Sequence, residues 1–289
     1  MKSVLPNSTG SIVSATSVHL HVDEAGQGDP VVLLHGFPEF SYCWRHQMPA
    51  LAAAGFRAVA PDLRGYNLSD RPLGVGNYRA NYLVEDIAAL IRNLANGKAH
   101  VVGHDWGGVL AWRLAAKHPE LVEKLAVLNA PHPAAYLRTV KRNPAQWLQS
   151  WYVLFFQLPW LPERLIRSRD FATLESVWKK DPVTPGAYSE EDIARYKEAL
   201  RPPGALTAGI NYYRAAVRWP GDLYGEPQAV RAPTLLIWGE KDRYLGLDLT
   251  EGLEAWVPDL RLERIPEASH WVQNDVPEVV NRLLTQFLA

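Results

Sequence analysis

The stretch GHDWGG at residues 103–108 places a carboxylate, Asp105, among three glycines. Glycines at this spacing remove the side chains that would clash in a tight strand-to-helix bend, the turn that usually presents a serine nucleophile on a strained backbone. An aspartate there changes the chemistry. Attack on an ester carbonyl would give an anhydride, whereas attack on a saturated carbon gives an alkyl ester that water can cleave. The leaving group must then depart from that carbon: a halide, or the oxygen of a strained epoxide ring.

Partners for such a nucleophile follow in the chain order nucleophile, acid, histidine. WGEKDRYL supplies Asp242 just after a buried-strand pattern, and PEASHWVQ supplies His270 after the next one. A carboxylate on the far nitrogen of His270 would fix its tautomer. Glu240 is the rival acid, nearer the strand; Asn129, an amide, cannot do that job. HGFPE at 35–39 follows another buried run. Its Gly36 lets the backbone turn so that the Phe37 amide can face an oxyanion, with the Trp106 amide as second donor. Pro38 has no N–H to offer. His270 would serve as general base on a water that strikes the Asp105 carbonyl. Halide and epoxide need different helpers: a halide wants N–H donors and no proton, while an opening epoxide wants acidic hydroxyls such as tyrosine.

The elements that must position these groups are legible as periodicities. PVVLLHG (30–36), FRAVAPD (56–62), AHVVGHD (99–105), KLAVLNAP (124–131) and APTLLIWGE (232–240) are near-continuous apolar runs, as strands buried on both faces read. VHLHVD (18–23) alternates like a half-exposed strand, and LRLERIP (260–266) is a weaker case. Helical patterns lie between them at 81–96, 109–120 and 277–288. Strands alternating with helices predict a doubly wound parallel sheet. The alternation fails between about 133 and 230, which is helical and crowded with Trp, Tyr and Pro. An all-helical insertion there is expected to cover the carboxyl edge of the sheet, where ligands bind in such folds.

Bulk properties narrow the class. The 289 residues carry a formal net charge of −1, with 47% hydrophobic and 21% charged residues, which predicts no nucleic-acid partner and no electrostatic membrane contact. One cysteine, Cys43, excludes an intrachain disulfide and fits a reducing compartment. The polar N-terminus has no signal-peptide core, and WLQSWYVLFFQLPWLP is too short to span a bilayer. These features predict a cytoplasmic protein with no stable membrane anchor. They leave oligomeric state open.

From about residue 18 onward the chain resembles the α/β-hydrolase-fold epoxide hydrolases, in HGFPE, DLRGYNLSD (62–70), GHDWGG, WGEKD and ASHW. The resemblance implies an eight-stranded, mostly parallel sheet with an all-helical cap inserted after the sixth strand. The core domain would be 1–132 and 231–289, and the cap 133–230. It also implies two cap tyrosines on the epoxide oxygen: Tyr152, before the FQ pair of WYVLFFQLP, and Tyr213 in NYYR, with Tyr212 as a register alternative. Substrate contacts would come from Phe37, Trp106, Tyr152 and Tyr213, and no cofactor or metal is implied. GYNLSD carries Asn67 where relatives often have Gly, and Asn tolerates a positive φ nearly as well.

The expected activity is hydrolysis of a small apolar or aromatic epoxide to a vicinal diol. The alternative is a haloalkane or haloacid dehalogenase using the same Asp105, His270 and Asp242. Haloalkane dehalogenases typically have Asn where this chain has Phe37, and fluoroacetate dehalogenases usually have Arg at Trp106. A non-catalytic ligand sensor ranks last, because all three triad positions are filled.

Overall fold

The computed structural model describes residues 8–94, 97–225 and 229–289. Eight strands, β1 (Thr9–Ser14), β2 (His19–Ala25), β3 (Pro30–Leu34), β4 (Arg57–Pro61), β5 (Ala99–His104), β6 (Val122–Leu128), β7 (Thr234–Gly239) and β8 (Leu260–Ile265), form one sheet. Its order is β1-β2-β4-β3-β5-β6-β7-β8. The β1–β2 and β2–β4 pairs are antiparallel, and every pair from β4 through β8 is parallel. Strands β3, β5 and β7 are buried throughout, as their unbroken apolar runs require.

Helices α1 (Gln47–Ala53), α2 (Ala80–Arg92) and α3 (Trp106–Lys117) connect β3 through β6. From β3 the chain steps outward to β4, then crosses back to β5 and continues the other way. Right-handed crossovers therefore put α1 on one face of the sheet and α2 and α3 on the other. The connections leaving β3 and β5 diverge, and that switch point is where open α/β sheets leave a crevice.

Among the described residues seven helices fall between β6 and β7: α4 (Pro133–Arg142), α5 (Pro144–Gln149), α6 (Trp151–Phe155), α7 (Leu161–Lys180), α8 (Glu190–Leu200), α9 (Ala205–Arg218) and α10 (Pro220–Tyr224). The strand pattern lapses in the sequence over this same interval. α7 is broken at Ser168–Phe171, where Arg169, Asp170 and Phe171 take positive φ. The chain closes with α11 (Val272–Asp275) and α12 (Pro277–Leu288), the latter packed on α1.

Four details differ from the sequence reading. β1 lies in the N-terminal segment read only as polar, with no strand expected there. β2 is not half-exposed: His21 and Asp23 are fully buried, with His21 Nδ1 3.0 Å from Asp62 Oδ2 and the Ser41 hydroxyl donating to Asp23. α3 begins at Trp106 rather than Val109, so Gly107 and Gly108 lie within its first turn. α2 ends at Arg92, and positions 95–96 of the expected helix lie outside the described residues. Asn67 does take a positive φ of 40°, and its amide donates to Asp62.

Candidate active site

Asp105 caps α3 at φ 49°, ψ −122°, a conformation disfavoured for any side-chain-bearing residue. The bend is held by close packing. A Cβ on Gly107 would lie 2.1 Å from the Leu34 carbonyl oxygen, and one on Gly36 would lie 2.3 Å from Asp105 Oδ1. Those two positions must be glycine for the carboxylate to stand where it does. The Phe37 amide donates to Asp105 Oδ1 at 2.8 Å. Trp106 is the first residue of α3, so its amide has no acceptor within the helix.

His270 lies in the loop after β8. Its Nδ1 is 2.7 Å from Asp242 Oδ2, and its Nε2 is 3.6 Å from Asp105 Oδ2. Asp242, not Glu240, is the carboxylate behind the ring. Its Oδ1 accepts the amides of Tyr244 and Leu245 at 2.7 and 3.0 Å, and its Oδ2 also accepts Asn129 Nδ2 at 2.8 Å. The residue dismissed as an acid is thus a brace for the acid. Asn129 in turn accepts the Gly239 amide, which ties the ends of β6 and β7 together.

The electrostatics follow from this packing. Burial alone would lower the His270 pKa, but the charge of Asp242 and the facing carboxylate of Asp105 carry it up to about 10. Burial works to raise Asp105, and the neighbouring His270, His104 and Phe37 amide hold it below its ordinary value. The free site therefore holds an imidazolium between two carboxylates. Behind it, His104 Nε2 lies 2.9 Å from the His270 carbonyl oxygen. Buried Glu39 accepts from Tyr188, Tyr196 and Gln273 at 2.9, 3.0 and 3.1 Å. Sequence reasoning passed over this cluster, although Glu39 closes HGFPE and His104 precedes Asp105.

Above Asp105 two cavities, of about 200 and 370 Å³, both have Asp105, Tyr152 and Tyr213 in their walls. The smaller adds Phe37, Phe156, Tyr244 and His270. The larger adds Trp106, Tyr136 and Leu245. Tyr152 and Tyr213 stand edge to face with ring centres 5.8 Å apart. Register on α9 is unambiguous: the Tyr212 hydroxyl donates away from the cavities to the Arg64 carbonyl. Burial first, and the charge of Asp105 second, push both Tyr152 and Tyr213 well above the ordinary phenol value, so both are neutral acids. The helices bearing them are stapled by buried Arg214, which donates to the carbonyls of Phe156 and Leu158 and pairs with Glu163.

A carboxylate on a strained elbow after β5, backed by an acid after β7 and a histidine after β8, is the arrangement of an α/β hydrolase, here with aspartate where serine is usual. The α/β hydrolase fold family model matches residues 29–276. The chain is 44% identical over 279 residues to the AB hydrolase superfamily protein YfhM of Bacillus subtilis, covering 96% of each. It is 38% identical to human epoxide hydrolase 4, covering 96% of this chain and 77% of that protein. The crystal structure of Bacillus megaterium epoxide hydrolase in complex with an inhibitor superposes with a TM-score of 0.88 at 32% identity, covering 96% of this chain and 99% of that one. The chain belongs to the α/β-hydrolase-fold epoxide hydrolases and is an enzyme of that family.

Proposed function

We propose that the protein opens small apolar or aromatic epoxides to vicinal diols through a covalent aspartyl ester. In this reading 1–132 and 231–289 form the core domain and 133–230 the cap. The observation that carries it is the sharing of both cavities by one carboxylate and two neutral phenols. A halide needs no proton, and Phe37 supplies no side-chain donor.

The Phe37 amide occupies Asp105 Oδ1, which leaves Oδ2 to attack an epoxide carbon from the side away from the breaking C–O bond. As that bond forms, the negative charge leaves Asp105 and appears on the substrate oxygen, beside Tyr152 and Tyr213. One phenol gives up its proton to the alkoxide. The same loss of charge on Asp105 removes one of the two influences that hold the proton on His270. That proton restores the phenol, and His270 becomes a neutral base with Nε2 facing the ester.

Water then adds to the ester carbon while His270 takes its proton. Oδ1 becomes the oxyanion between the amides of Phe37 and Trp106. Collapse of the tetrahedral centre breaks the bond from Cγ to Oδ2, which leaves as a hydroxyl of the diol with the second proton of the water, and the water oxygen stays in the Asp105 carboxylate beside a protonated His270, so the proton count closes. The aromatic and aliphatic walls favour apolar substituents on the ring. A cytoplasmic setting is in keeping with the single cysteine, Cys43, which is buried and free.

His270→Gln tests the covalent step. It should slow diol release while intact-protein mass rises by the mass of the epoxide. A mass that never shifts during turnover would remove the covalent route.

A further inference from the structure

Twelve large apolar side chains are exposed among the described residues, and seven of them fall within positions 147–165, on α5, α6, the turn after α6 and the start of α7. Leu148 is 76% exposed, Trp151 61% and Trp160 66%. Trp147 and Leu148 on α5, Trp151 and Leu154 on α6, and Leu158 and Trp160 in the turn that follows are gathered in one segment rather than scattered over the molecule. Apolar side chains gathered this way on a water-soluble surface mark a contact.

The fringe of this face is basic. Between Arg138 and Arg169 the chain carries six Lys or Arg and one acid, Glu163, which is already paired with Arg214. Lys141, Arg142 and Arg164 make no ion pair among the described residues. The Trp147 indole donates to the Val140 carbonyl, which sets the basic end of α4 against the apolar segment. Tryptophan and leucine flanked by unpaired cations suit the boundary between acyl chains and anionic headgroups. A twofold contact with a second copy would instead bring like charges face to face.

We propose that this face docks on an anionic lipid surface as a peripheral contact, a local exception to the expectation drawn from the near-zero net charge of the whole chain. No helix among the described residues is long and apolar enough to cross a membrane. Trp151 belongs both to the exposed face and to the wall of the smaller cavity, and Trp147 and Leu154 to the wall of the larger. Lipid-dissolved ligands would thus reach Asp105 without crossing bulk water.

The test is flotation of the full chain with phosphatidylcholine vesicles, with and without phosphatidylglycerol. Binding requires no turnover, so its outcome is independent of the epoxide reading. The expected result is association with the anionic vesicles that weakens as salt rises. Leu148→Ser with Trp160→Ser, positions that line neither cavity, should abolish it. Arg142→Glu with Arg164→Glu should weaken it by at least about tenfold. Both variants should retain the wild-type melting temperature and activity on a water-soluble epoxide. The proposal is overturned if no anionic vesicle floats the protein, or if the variants bind as well as wild type. It is equally overturned if the wild type is a dimer in solution that Leu148→Ser with Trp160→Ser dissociates while vesicle binding persists.

Discussion

Asn129 and His270 converge on a single oxygen, Oδ2 of Asp242, at 2.8 and 2.7 Å. The acid is therefore oriented by an amide from β6 as well as by its own loop. Asn129→Ala should leave that oxygen short of a buried donor, costing about 1–3 kcal/mol of stability and lowering kcat about tenfold. Chemical denaturation and steady-state kinetics on the same preparation check both. Asp242→Asn should be far more severe, by about 10³–10⁴-fold in kcat, because the ring nitrogen facing it would no longer be held in the right tautomer.

The charge on His270 makes a pH prediction with a definite sign. Its folded pKa of about 10 lies above its ordinary 6.5, so protonation stabilises the fold. That contribution, on the order of a few kcal/mol, is complete below 6.5 and is lost as pH rises toward 10. Melting temperature should fall across that window, and the fall should be flattened in His270→Gln. By the same reasoning kcat/KM should show no inflection near 6.5. A clear break there would mean that the flanking carboxylates do not hold the proton.

Removing the phenols separates the two chemistries open to an aspartate nucleophile. Tyr152→Phe and Tyr213→Phe should each lower diol formation, and the double variant should lose at least about 10²-fold. A dehalogenase would tolerate both changes and release halide from haloalkanes. Paired diol and halide assays read the difference.

Arg214 fixes the spacing of α6 and α9. Arg214→Met should cost about 3–5 kcal/mol by leaving Glu163 uncompensated. At temperatures where the variant is still folded, kcat/KM should fall as the two tyrosines lose their relative placement. Thermal unfolding followed by kinetics well below the transition tests this order of effects.

The strand ends were readable because strands buried on both faces must be apolar without interruption, and the residue after each run then sits on one edge of the sheet. Asp105 and Asp242 follow such runs, whereas His270 follows β8, whose charged and partly exposed residues made a weaker signal. β1 escaped notice because a six-residue edge strand paired only to β2 needs no buried face. β2 misled for the opposite reason: His21 and Asp23 look solvent-facing until Asp62 and Ser41 are brought to them by the fold. Tyr212 and Tyr213 could be told apart only by the Arg64 carbonyl, 148 positions away. The bracing by Asn129 has no local signature either, since its partner is 113 residues on.

Glu39 joins phenols from the helical segment, Tyr188 and Tyr196, to Gln273 of α11 in a pocket that water does not reach. Swinging the whole segment away would strip an ionised group of two donors at once, a penalty too large for routine breathing. The α8 side therefore stays latched, and the way in and out lies on the α5–α6 side, where exposed Trp151 lines the smaller cavity and exposed Trp147 and Leu154 the larger.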